Sequence, residues 1–160
     1  MLSGRSIGGP MPVDARTFAR IEGMPGARRW LIDGMNVIGS RPDRWWNDPD
    51  AAVRKLIDEL DRYAKATGHD LTAVFDRHPP DVSAGAAGAI TVAFPSHRGR
   101  NAADRAIARM VEDDEAPASL TVVTSDQELA DRVAQRGARV ASSGAFRRRL
   151  DEILAGGTAQ

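Results

Sequence analysis

The chain contains no cysteine. That excludes disulfides and every thiolate metal site, and it suits a reducing compartment. There is no excess of charge of either sign, because Lys+Arg and Asp+Glu both number 22. Global charge therefore favours no class of partner, and any footprint for a polyanion must be local. No apolar run approaches the roughly 18 residues needed to span a membrane. The N-terminus carries Arg5 but no apolar segment after it, so no signal peptide is expected. No histidine pair stands at zinc-motif spacing, and no internal repeat is visible. What remains is a chain of 160 residues, long enough for one domain with a proper core. It is expected to be cytoplasmic, with no membrane association.

Residues 1–27 are rich in Gly, Pro, Met and Arg, without sustained period, and read as an N-terminal extension. The folded domain is expected over 28–155, with 156–160 as a short tail after Gly156-Gly157. Within the domain, apolar runs alternate with helical patterns. Residues 29–33, 71–75, 89–94, 120–124 and 138–141 read as strands. Helices are expected over 51–65 with Asp50 as cap, over 102–113 with Asn101 as cap, after Ser125-Asp126, and from Ser142 or Ser143 onward. Gly68 and Gly137 are placed to end two of them. Strands alternating with helices mean βαβ units, hence a three-layer α/β/α sandwich around a mainly parallel sheet of about five strands. Trp45-Trp46 lies in a polar loop, where the rings can stack on bases or cap the core.

The strands carry a pattern at their carboxyl ends. Trp30-Leu31-Ile32 runs into Asp33, Leu71–Phe75 into Asp76, and Leu120–Thr124 into Ser125-Asp126. Asp104 falls in the first turn of the helix that follows the third strand. In a parallel sheet these positions share one edge, where ligand crevices form. Each carboxylate also has an ordinary structural role: turn former, helix-dipole partner, capping-box member (Asn101 with Asp104, Ser125 with Glu128) or ion-pair partner. Their joint placement on one edge is what points to chemistry.

Crowded carboxylates repel, and one takes up a proton unless a cation neutralises the group. Mg²⁺ and Mn²⁺ prefer oxygen ligands and keep several waters, so a few carboxylates suffice. Such a site suits phosphodiester hydrolysis. Asp33, Asp104 and Asp126 are the candidate ligands, with Asp76 joining or flanking them. Arginines gather nearby: Arg77 after Asp76, then Arg98, Arg100 and Arg105 around Asp104, with Arg147, Arg148 and Arg149 on the last helix. Ordinary solvated surface is one reading of them. Phosphate contacts to a nucleic acid are the other.

The segment Asp33-Gly34-Met35-Asn36-Val37-Ile38 resembles the signature of NYN domains, in the PIN-like ribonuclease superfamily. Val74-Phe75-Asp76, Ala103-Asp104-Arg105-Ala106-Ile107 and Val122–Ala130 follow in the order that family has. The YacP-like branch is the nearest, over residues 29–153. The resemblance implies a PIN-like sheet and a metal-dependent, RNA-cleaving site, endonucleolytic in type. Asp33, Asn36, Asp104 and Asp126 match its acidic and amide positions, and Asp76 matches less closely. Asn36 would then orient Asp33 or a metal-bound water, and Mg²⁺ or Mn²⁺ would be the cofactor. RNA is the implied substrate, held by Arg77, Arg98, Arg100 and Arg105, with a ribosome or RNA-processing factor as the candidate partner. Met35 replaces the commoner Tyr, and Asn101 stands where many members carry an acid. PIN toxins place the Asn two residues after the Asp, not three. Haloacid-dehalogenase phosphatases require a second Asp where Met35 stands. The alternatives are a non-catalytic RNA-binding or adaptor module on the same fold, and an interaction protein that uses the Trp45-Trp46 loop.

Overall fold

The computed structural model describes residues 29–158, so the expected N-terminal extension and the last two residues of the tail lie outside it. Six strands form one sheet in the order β3-β4-β2-β1-β5-β6. These are β1 (Arg29–Asp33), β2 (Asp70–Val74), β3 (Gly85–Ala87), β4 (Ile90–Ala93), β5 (Leu120–Val123) and β6 (Arg139–Ala141). All neighbouring pairs are parallel except β3 with β4. The helices are α1 (Gly34–Gly39), α2 (Pro49–Thr67), α3 (Ala102–Asp113), α4 (Gln127–Ala134) and α5 (Ser143–Thr158), with short 3₁₀ turns at Trp45–Asn47 and Pro117–Ser119.

The alternation of side chains along β1 builds the two sides of the sandwich. Trp30 and Ile32 join Leu56, Leu60, Tyr63, Phe75, Phe146 and Leu150 in a core under α1, α2 and α5. Leu31 points the other way, to Ile107, Val111, Val122, Leu129 and Val133 under α3 and α4. Burial on both faces is why β1 reads as an unbroken apolar run. From β1 the chain adds β2 and β4 on one side, then returns to place β5 and β6 on the other. The strand order therefore reverses between β1 and β5, and a crevice opens outside their carboxyl ends. No helix among the described residues is long and apolar enough to cross a membrane.

Five local expectations are corrected. The sheet has a sixth strand, β3, inside the Gly- and Ala-rich stretch after Pro80, formed by pairing with β4 rather than by its own propensity. Asp48, not Asp50, caps α2, its carboxylate accepting from the Ala51 N–H at 3.1 Å. Asp126, not Ser125, caps α4, accepting from the Leu129 N–H at 2.9 Å, so Asp126 stands one position before the helix. Asn101 makes no side-chain cap on α3. Its backbone is left-handed, φ 63°, outside the extended region from which a cap side chain reaches back to the first turn. Finally, α5 continues through Gly156 and Gly157 to Thr158. Gly156 does not take the left-handed conformation that ends a helix at Gly68, where φ is 78°.

In the loop before α2, Trp45 is half-buried against the core and meets Trp46 edge-on, while Trp46 is 59% exposed. One ring packs and the other faces solvent. Two of the three last-helix arginines are drawn into local pairs: Arg147 with Asp151 and Arg149 with Glu152.

Candidate metal and nuclease site

The crevice between β1 and β5 is acidic. Asp33 ends β1 and is 2% exposed. Register pairs Ile32 with Val123, so the residue after β5, Thr124, lies beside Asp33. Its hydroxyl donates to Asp33 Oδ2 at 3.2 Å and accepts the Asp126 N–H at 3.1 Å. Thr124 thus locks one carboxylate and positions the backbone of the next. Sequence patterning passed over it because it reads as the last residue of an apolar strand. Its place immediately before Ser125-Asp126 was the available signal.

Each carboxylate is oriented by a donor. Asp126 gives one oxygen to the Leu129 N–H, and Asp76 gives Oδ1 to the Ala103 N–H at 2.8 Å. Asp76 therefore caps α3 from another element, doing the work expected of Asn101. The second oxygen of each remains for another ligand. Asp104, in the first turn of α3, is half-buried. Asn36 sits in α1, and its Oδ1 accepts the Ser125 N–H at 2.9 Å. That side-chain bond ties α1 to the end of β5, while the Asn36 backbone N–H donates to Asp33.

Electrostatics join these groups. Burial pushes the Asp33 carboxyl up to about 7, and the neighbouring Asp104 charge adds to the rise. The Thr124 hydroxyl and the Asn36 backbone N–H oppose it. Asp104 is also raised, by burial first, then by Asp126 and Asp76, while a hydrogen bond from Asp33 lowers it. Both carboxyls are held above the usual carboxylate range, and the two titrate as a pair. Among the described residues, no ion pair satisfies Asp33, Asp76, Asp104 or Asp126, whereas acids elsewhere, such as Asp50 and Glu112, do have arginine partners.

Gly34 explains the residue after Asp33. A Cβ there would meet the Phe75 ring at 2.3 Å. The ring of β2's extension closes against the turn, so glycine is required at the point where β1 passes into α1.

The donor set fits a hard divalent cation: all oxygen, anionic and otherwise uncompensated. Among the described residues, however, no three acidic or imidazole side chains stand ready as a ligand set. The arginines divide. Arg77 is paired with Asp50 at 2.7 Å, and Arg105 donates to the Arg100 carbonyl at 3.0 Å. Arg98 and Arg100 are exposed, with no ion pair among the described residues.

The model of the YacP-like NYN domain matches residues 30–157. The chain belongs to that family. It is an RNase-type family. Two solved structures are similar, both of Rae1 (YacP) from Bacillus subtilis. One, a tryptophan-to-leucine mutant, is 25% identical with a TM-score of 0.63, over 80% of this chain and 77% of that one. The other is 22% identical with a TM-score of 0.65, over 79% and 75%. No curated protein matches.

Proposed function

We propose that this YacP-like NYN domain is a metal-dependent endoribonuclease that hydrolyses RNA phosphodiester bonds at the β1/β5 crevice. The observation that carries the reading is the uncompensated carboxylate group, in which Asp33 is driven to about 7 by burial and by Asp104. Burying a carboxylate that resists ionisation weakens the fold as pH rises toward neutrality. A bound cation removes that cost. Asp33, Asp104 and Asp126 would hold Mg²⁺ or Mn²⁺, with Asp76 alongside. When bound, the ion would acidify a water and stabilise the leaving oxygen.

The protein's own groups prepare the site. Thr124 and the N-terminal amides of α3 and α4 fix the carboxylates before substrate arrives. Asn36 holds the Thr124–Asp126 turn against α1 through Ser125. Arg98 and Arg100 are the cations free to hold phosphate, and Arg105 lies next to them. Arg77 would have to leave Asp50 to take part. The test is cleavage of total RNA with Mn²⁺, with and without chelator, by the unmodified protein and by Asp33→Asn. Chelator and mutation should both abolish cleavage. A second reading is favoured by the lack of a preformed ligand set among the described residues: the fold would serve as an RNA-binding or adaptor module. RNA binding with no cleavage under either metal would decide for it.

A further inference from the structure

Next to the carboxylates, on the β6 side, lies a cleft of about 160 Å³ lined by Thr124, Ser125, Asp126, Gln127, Ala130, Val140 and Ser142. Its volume would hold about five waters, or one pyrimidine-sized ring. Ala130 and Val140 form an apolar floor, and both are buried. The rim is polar, and its hydrogen-bonding state can be worked out group by group.

Ser125 Oγ accepts the Ser143 N–H at 3.1 Å, and Ser142 Oγ accepts the Ala145 N–H at 3.1 Å. Both hydroxyls are thereby held in place by their lone pairs, and their protons remain to be donated. Gln127 donates from Nε2 to Asp131 Oδ1 at 2.9 Å. An ionised carboxylate only accepts, so this bond sets which way the amide faces and leaves Oε1 as an acceptor. The Thr124 hydroxyl is fully engaged, with Asp33 and Asp126. The rim thus offers two hydroxyl donors and one amide acceptor. No cation lines the cleft, and its single ionisable group is Asp126, so phosphate is repelled and a neutral ring is admitted.

We propose that this cleft is a base-binding subsite that selects uracil in the RNA strand beside the cleaved bond; the assignment rests on the ribonuclease reading above. Uracil presents two carbonyl oxygens on either side of a ring N–H, the complement of two hydroxyls and one amide oxygen. Cytosine places an acceptor nitrogen where Gln127 Oε1 needs a donor. RNA enzymes that read sequence take single bases in this way, on the Watson–Crick edge of an unstacked nucleotide. Loss of one such bond in a partly open cleft is expected to cost about fivefold in affinity.

The test uses the full chain carrying Asp33→Asn, which stops hydrolysis, without divalent ions and at raised ionic strength so that phosphate contacts contribute little. Affinities for short oligouridylate and oligocytidylate are measured by fluorescence anisotropy. Methyl resonances of Ala130 and Val140 are followed on addition of uridine or cytidine monophosphate. Oligouridylate should bind at least about fivefold more tightly, and uridine monophosphate alone should move the methyl signals. Gln127→Leu, an exposed change that leaves the backbone untouched, should remove the difference by weakening oligouridylate only. Ser142→Val should do the same, but it also removes a cap from α5, so Gln127→Leu is the deciding variant. Equal binding of the two oligonucleotides, or a preference that survives Gln127→Leu, overturns the proposal. If the unmodified protein with Mn²⁺ cleaves RNA without base preference, the subsite fails and the nuclease reading stands. If it never cleaves while the preference and methyl shifts hold, the subsite stands and the nuclease reading fails.

Discussion

Replacing Asp33 by Asn in the metal-free protein should stabilise the fold at pH 8 and leave it nearly unchanged at pH 4. Asp33 is almost wholly buried, and its carboxyl is raised from 3.8 to about 7, by burial first and then by Asp104. In the unfolded chain it titrates near its ordinary value. Between those two values the folded state therefore holds a proton that the unfolded state lacks. Stability depends on pH through the difference in bound protons, so it falls as pH rises across this window. The contribution is fully present below about pH 4, declines toward pH 7, and is lost above it. At about 1.4 kcal/mol per pH unit, the full swing is on the order of 4 kcal/mol. For a domain of this size that is roughly 10 °C in Tm. Asn keeps the shape and can donate to Asp104 as the protonated acid does, but it does not ionise. The assay is thermal unfolding in chelator from pH 4 to 8.5 for both proteins. The gap in Tm should open with rising pH, and divalent ions added at pH 8 should narrow it. A gap that stays constant across the range would refute the reasoning, because it would mean that Asp33 is ionised in the fold throughout.

Divalent ions should raise the Tm of the unmodified protein by mass action on the folded state. The rise should be much smaller in Asp126→Asn, which retains a competent helix cap; equal rises in both would rule out Asp126 as a ligand. Gly34→Ala should destabilise by about 1–3 kcal/mol in urea unfolding, because the new Cβ overlaps the Phe75 ring. Phe75→Leu in the same chain should lessen that loss, and a neutral Gly34→Ala would show that the ring is free to move. Arg98→Ala with Arg100→Ala should lower the salt slope of RNA binding by up to about two. Arg77→Ala should change it less, since that guanidinium is held by Asp50. A larger effect of Arg77 would reverse the order of the phosphate contacts.

The amino-acid sequence alone determined the parts of this protein that rest on local pattern. The apolar run from Trp30 to Ile32, the helical spacing of Val53, Leu56 and Leu60, and Gly68 at a left-handed cap are all set by neighbours a few residues apart. So was the strand-end position of Asp33 and Asp126, because a buried parallel strand must stop where its charge begins. Tertiary structure decided what depends on residues distant in the chain. Gly85–Ala87 became a strand only because β4 lay open beside it. Asp76 became the cap of α3 only because β2 ends against that helix, 27 residues away. The Asn36 side chain reached Ser125, 89 residues away, because strand order sets the start of α1 beside the end of β5. The raised carboxyls of Asp33 and Asp104 arise only once burial and proximity act together. Patterns of period two and 3.6 carry no information about such pairings. They are fixed by strand order, which brings the ends of β1 and β5 together.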